Sequence, residues 1–272
     1  MKRFLRIYTP FTKAGIQEMM AYRFNFLCFL LGELFKSFTM FYVWKAVFES
    51  SNSTTFMGFT MVDMTVYLFV TFLAGYITHS DGTYAVGEEI RDGSISMRMI
   101  KPVSFDMAFL FQELGNKLVI SLIVLFPVCI GVEVYKFFVS GQIMFDIAHF
   151  VLFLISCVMA YLISFYFNVC YGFMAFFLKN LWGSNLLKNV VVDFLSGATI
   201  PLAFMPEALR NVLTFLPFAS LSYTPVMIYM GIYSYPQIFA LMALQLFWVI
   251  AFWLFSKIIW SVAVKRLCVQ GG

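Results

Sequence analysis

Charge is what this sequence has least of. Only 12% of its 272 residues are Asp, Glu, Lys or Arg, while 62% are apolar. A soluble domain carries about 25% charged residues, and one with half that share has too little polar surface to hold a globule in water. An ordinary cytosolic enzyme, a disordered chain and a secreted disulfide scaffold are excluded together. Histidine is scarcer still, with two residues, and the five cysteines (Cys28, Cys129, Cys157, Cys170 and Cys268) sit mostly inside apolar runs with no CxxC among them. They read as small buried hydrophobes, and no metal-ligand set is expected. Catalytic motifs are missing too: there is no GxSxG, no HExxH, no Cys/His pair and no Walker phosphate loop. The nearest approach to the last, Gly115-Asn-Lys-Leu, lacks the leading glycine and the closing Ser/Thr, so ATP binding through that motif is excluded. His79-Ser80-Asp81 holds acid–base residue types, but neighbours at a helix end point in different directions. His149 reads as an interfacial side chain. The first 23 residues hold five bases without an uninterrupted apolar stretch and cleavage site, so no cleavable signal peptide is expected.

What is there is a bilayer composition: mean hydropathy +0.87 and 54 aromatic residues (35 Phe, 14 Tyr, 5 Trp). A hydrocarbon core of about 30 Å needs about 20 helical residues. Apolar runs of that order predict spans at about 24–44, 61–78, 118–135, 147–167, 190–204 and 237–259, in one transmembrane domain covering 1–272. Arg23 and Lys45 bracket the first, Pro127 predicts a kink in the third, and Pro236 opens the last. With the N-terminus inside, Lys2, Arg3, Arg6, Lys13, Arg23, Arg91, Arg98, Lys101, Lys179, Lys188, Lys265 and Arg266 lie on the inner side, against Lys45, Lys136 and Arg210 outside. Twelve against three is a positive-inside bias with both termini cytoplasmic. The fold class is all-α integral membrane with six transmembrane helices.

Three regions depart from plain spans. Over 7–22, Thr9 can cap a helix with Pro10 at its first position, and apolar residues alternate with Thr12, Lys13, Gln17 and Glu18. A short amphipathic helix on the inner membrane surface fits, with a tail of chance periodicity as the alternative. The longest polar stretch, 80–105, holds one or two helical turns in Gly87-Glu-Glu-Ile-Arg-Asp, a stop at Gly93 and a second apolar piece ended by Pro102. It reads as a charged helix that receives a soluble partner, or as a solvated connector. Between 196 and 236 fall five of the eight prolines (Pro201, Pro206, Pro217, Pro225 and Pro236), which forbid one straight helix. Met205-Pro206-Glu207 reads as a helix start, and the region reads as broken helices around an outer mouth.

Ionisable groups at membrane depth are costly and usually face protein or water. Glu33 and Lys36 share a helix face roughly 15–20 Å from Arg23 along the axis. They read either as a buried ion pair that fixes packing or as a polar patch on a transport path or subunit seam. Asp193 and Glu133 read as boundary groups. No chain of acids marks a proton relay, and the two halves show no repeat, which weighs against a secondary transporter.

The chain resembles the ABC-2 type permeases, the membrane subunits of one class of ATP-driven exporters. The likeness rests on Gly87-Glu-Glu-Ile-Arg-Asp-Gly-Ser-Ile-Ser-Met-Arg-Met-Ile-Lys-Pro-Val; on Leu195-Ser-Gly-Ala-Thr-Ile-Pro-Leu-Ala-Phe-Met-Pro with Leu216-Pro-Phe and Tyr223-Thr-Pro-Val-Met-Ile-Tyr-Met-Gly; and on the closing Val264-Lys-Arg-Leu-Cys-Val-Gln-Gly-Gly. It implies an N-terminal interfacial helix at 7–22, a cytoplasmic coupling helix at about 84–93 between spans two and three, and re-entrant helices at 206–230 before span six. The ATPase-coupling residues would be Gly87, Glu88, Glu89, Ile90, Arg91, Asp92 and Gly93. Glu33, Lys36, Pro201, Pro206 and Pro217 would line the path or the subunit seam. The implied partners are cytoplasmic ABC ATPase subunits and a second permease, favoured as a different chain over a second copy, in a bacterial plasma membrane. ATP and Mg would bind the ATPase and no cofactor this chain; no nucleic-acid partner is expected. The implied cargo is hydrophobic or amphipathic: a drug, peptide, lipid or glycan. A channel or scaffold subunit without ATP drive is the alternative, and an integral membrane transferase a more distant one.

Overall fold

A computed structural model describes residues 2–51, 55–100, 103–141, 145–178 and 180–263. Lys101, Pro102, Lys179 and the closing 264–272 motif lie outside these residues. The described chain is helical apart from one two-stranded ribbon. Five helical stretches among the described residues are long and apolar enough to cross a membrane.

Helix α1 runs Lys2–Ala21, starting earlier than the expected 7–22 helix and passing through Pro10 rather than beginning there. Packing overrides the local start signal: Tyr8 stacks on Phe111 at 5.0 Å, and Phe4 meets the same ring at 5.7 Å. Helix α2, Arg23–Ser51, follows and continues past the expected end at 44. A ribbon of β1, Thr55–Phe56, and β2, Phe59–Thr60, turns at Met57-Gly58, both with positive φ, the geometry of a tight hairpin.

Helix α3, Met61–Thr78, coincides with the second expected span. The Thr60 hydroxyl accepts from the Asp63 amide at 3.1 Å, and the Asp63 carboxylate accepts from the Thr60 amide at 2.9 Å. This reciprocal box fixes the helix start. Short helices α4, Gly82–Arg91, and α5, Ile95–Ile100, come next. Helix α6, Phe105–Ser140, starts well before the expected 118 and is continuous across Pro127. Its 36 residues make roughly 54 Å, longer than a hydrocarbon core, so its first turns extend beyond one.

Helix α7, Ile147–Gly172, ends in a 3-10 turn, Phe173–Phe176. The fifth expected span is corrected. Instead of one helix over 190–204 the chain forms α8, Trp182–Leu195, whose 14 residues reach only about 21 Å. Gly197, at φ 80°, then turns the chain, and Pro201 precedes a 3-10 turn at Leu202–Phe204. Contacts place the two ends of this segment far apart. Lys188 bonds to Thr83 of α4, while the Phe204 ring packs on Trp44, Phe56 and Phe59 at 5.2–5.5 Å. Helices α9, Glu207–Phe215, and α10, Tyr223–Tyr229, follow with a 3-10 turn between them, as the proline spacing predicts. Helix α11, Tyr235–Ala263, closes the fold.

Two apolar clusters hold the helices. One, around Tyr67, Leu73, Phe153, Leu202 and Ile228, joins α2, α3, α6, α7 and α10. The other, around Val86, Phe109, Phe165 and Val169, joins α4, α6 and α7. Gln245, fully buried on α11, accepts from Ser156 Oγ at 3.0 Å and donates to the Ser220 carbonyl at 3.0 Å, a polar tie of the kind that fixes helix neighbours in lipid.

Candidate functional site

The charged loop after α3 folds into α4 and presents two faces. Gly82, Thr83, Val86 and Gly87 are buried, while Tyr84, Glu88 and Arg91, spaced by four and three, face outward. Arg91 lies 3.9 Å from Glu88, both well exposed. Gly93, at φ 79°, ends the turn where a left-handed residue is required. Exposed Asp92 accepts from the Ser94 hydroxyl at 2.7 Å and amide at 2.9 Å. These two bonds hold its carboxyl below the usual carboxylate range, so it stays ionised at neutral pH. Within 87–93 the roles therefore divide. Gly87 is a packing residue, since a Cβ there would come 2.9 Å from Leu181. Glu89 and Ile90 are half-buried, and Glu88, Arg91 and Asp92 carry the outward charge.

Two polar hubs mount α4 on the bundle. At its start, the Ser80 hydroxyl donates to Glu113 of α6 at 3.0 Å, and the Asp81 amide to the same carboxylate at 3.2 Å. Lys117, one turn further along α6, donates to the Tyr76 carbonyl at 3.2 Å. In the first turn of α4, Thr83 donates to Asn168 of α7 at 2.7 Å. Lys188 of α8 donates to both Thr83, at 3.2 Å, and Asn168, with its ammonium 4.9 Å from the Tyr171 ring centre. These bonds join the α4 region to α6 through Glu113, and to α7 and α8 through Thr83.

Glu33 and Lys36 do pair, at 3.5 Å, but with half or more of each side chain exposed. Within the single chain, α2 turns this face away from the bundle. Asp193 of α8 interacts electrostatically with Lys36, His79 and Glu33, so these charges share one side of the molecule. Around them α2 exposes Phe29, Phe35 and Phe38, and α8 exposes Leu186, Val190 and Phe194. Of the three candidate path prolines, Pro201 and Pro217 are buried and Pro206 is exposed.

His79 and Asp81 meet at 3.2 Å, contrary to the expectation from their adjacency, but the Ser80 hydroxyl turns to Glu113, so the three form no nucleophile–base relay. His149 stacks on Tyr235 and lies 2.6 Å from Asp146. Glu133 pairs with Lys136 at 2.8 Å and accepts from the Tyr229 hydroxyl at 3.1 Å, tying α6 to α10. Cys157 and Cys170 are buried as expected, whereas Cys28 is exposed. The sequence alone assigns no site role to Glu113, Lys117 or Asn168, and marks Lys188 only as an inner-side base. Their signal was available, as ionisable or amide side chains inside or beside apolar runs.

A long-helix bundle with an apolar exterior defines a polytopic membrane protein. A family model described as ABC-2 family transporter protein matches residues 34–271, most of the chain, and the chain belongs to that family. Permeases of this family normally work with an ATPase subunit. Comparison with curated proteins finds no match.

Proposed function

We propose that this chain is the membrane permease subunit of an ATP-driven exporter, with α4 as the coupling helix on which a separate ABC ATPase acts. The observation that carries the reading is the mounting of α4. Its outer face offers Tyr84, Glu88, Arg91 and Asp92, and its inner face is wedged against α7 and tied through Lys188 to α8. A helix built this way takes force from a soluble partner and delivers it to membrane helices. Export then needs only two packings of the bundle whose balance the nucleotide state shifts.

In this reading six crossings keep both termini inside. The fifth is the discontinuous segment from α8 to Phe204, whose broken backbone is packed in protein as membrane depth demands. Helix α1 lies at the inner surface against α6, and α9 and α10 form the re-entrant outer mouth. Substrate passes beside Glu33, Lys36 and Asp193, on the face where α2 and α8 meet a second permease, favoured as a different chain over a second copy. Pro201, Pro206 and Pro217 set the bends of the mouth. ATP and Mg belong to the ATPase, and the cargo is hydrophobic or amphipathic.

Affinity purification of the tagged chain from membranes of its source cell tests the proposal. An ATPase of the nucleotide-binding class should co-purify, with hydrolysis that disappears on deletion of residues 87–93 while the chain stays in the membrane. Recovery of the intact chain without any ATPase would contradict the reading and favour a channel or scaffold.

A further inference from the structure

Away from α4 and the α2–α8 face, a half-open cavity of about 280 Å³ lies where the start of α6, the end of α7 and the end of α11 converge. Its chemistry is unusual for a membrane protein's flank. Asp106 forms part of the wall and is 5% exposed. One of its carboxylate oxygens takes the Lys257 ammonium at 2.8 Å, while the other is buried with no hydrogen-bond partner. A buried carboxylate oxygen without a donor is rare enough to need a cause. Beside it the Trp260 ring stacks on Phe105 at 4.3 Å and packs on Phe173 at 5.6 Å. Lys257 remains 45% exposed, leaving its charge able to serve a second anion.

The level of the cavity narrows the choice of ligand. Lys257 lies 22 residues after Tyr235, roughly 33 Å along α11, which is one bilayer core from the outer end of that helix. Asp106 is in the first turn of α6, on the side where the bases accumulate. The cavity therefore stands at the inner headgroup layer, and on the same turns of α11 the side chains of Leu254, Phe255 and Ile258 are exposed.

We propose that this cavity binds the headgroup of an aminophospholipid of the phosphatidylethanolamine class, the primary ammonium donating to Asp106 and the phosphate facing Lys257. A primary ammonium supplies the missing donor and favours the neighbouring aromatic faces. A choline headgroup has no N–H to donate, and a glycerol headgroup carries no cation. The lipid would bridge α6 and α11, which meet here through Phe105–Trp260 and Asp106–Lys257. The inference rests on membrane placement and not on ATPase coupling, so either can fail alone.

The test uses the full chain in nanodiscs of phosphatidylglycerol containing equal minor fractions of phosphatidylethanolamine and phosphatidylcholine. Lipids retained after detergent extraction are counted by mass spectrometry. Wild type should retain the ethanolamine lipid about tenfold over the choline lipid, the worth of one charge-assisted hydrogen bond, and Asp106→Asn should bring the ratio near unity. Equal retention by wild type, or an unchanged ratio in Asp106→Asn, would overturn the proposal. Should the variant fail to fold, a photoactivatable phosphatidylethanolamine on wild type decides. Labelling within 103–106 or 256–260, absent with the choline analogue, is expected, and labelling only elsewhere refutes the site. Soluble phosphoethanolamine at matching concentration should not displace the lipid, and full displacement would overturn the assignment to a lipid.

Discussion

At the residue scale, two glycines set how α1 meets the bundle. A Cβ at Gly115 would stand 2.0 Å from the Thr12 carbonyl oxygen, and one at Gly15 would stand 1.9 Å from the Gln112 carbonyl oxygen. The backbones of α1 and α6 touch there, the small-residue crossing that membrane helices use in place of a hydrophobic driving force. Gly115→Leu should push the helices apart and lower stability by about 1–3 kcal/mol, read as a lower unfolding temperature and new protease cleavage within α1. In the sequence Gly115-Asn-Lys-Leu resembles only an incomplete phosphate loop, because a crossing partner far along the chain leaves no local pattern. Glu113, Lys117 and Lys188 stand out in the sequence as ionisable groups in or beside apolar runs, but their partners Ser80, Tyr76 and Thr83 come near only in the fold.

At the element scale, the break in α8 is the feature on which topology depends. The Tyr67 hydroxyl donates to the Gly197 carbonyl at 2.6 Å, and the Tyr223 amide to the Ser196 carbonyl at 3.0 Å. A Cβ on Gly197 would meet Tyr67, Leu202 and Tyr223 at 3.1–3.2 Å in a left-handed backbone. Gly197→Ala should therefore cost about 1–2 kcal/mol, whereas Gly183→Ala, with open space around its Cβ, should gain about 0.5–1 kcal/mol as helix propensity dictates; thermal melts of the two variants give the comparison. If the segment from α8 to Phe204 crosses the bilayer, Glu207→Cys in a cysteine-free chain is labelled by an impermeant maleimide from outside, and Asp92→Cys only after permeabilisation. Labelling of both from the same side would contradict this fifth crossing. The length of the apolar runs made α3, α7 and α11 legible almost to their ends, and the capping signals at Gly93 and Pro206 match the ends they mark. The span over 190–204 was misread because hydropathy is indifferent to the left-handed turn at Gly197, so an apolar run concealed a helix end.

At the scale of the whole molecule, two clusters of charge are joined by a short mechanical route. Outward charges on α4 lead through Thr83 and Asn168 to Lys188, and along α8 to Asp193, which senses Glu33 and Lys36 of α2. Composition identified the bilayer and the sequence displays the scarce charges, but the bonds that join Thr83, Asn168 and Lys188 arise only in the fold. Motion imposed at one end should appear at the other. The most direct measurement is the rate at which a methanethiosulfonate reagent modifies Asp193→Cys in the cysteine-free chain with its co-purified ATPase, with and without ATP. ATP should change the rate, and the Glu89→Ala/Arg91→Ala variant should continue to hydrolyse ATP while the rate becomes indifferent to it. A rate in that variant that responds to ATP as before, or a rate in the parent Asp193→Cys chain that ATP never changes, would contradict α4 as the coupling helix.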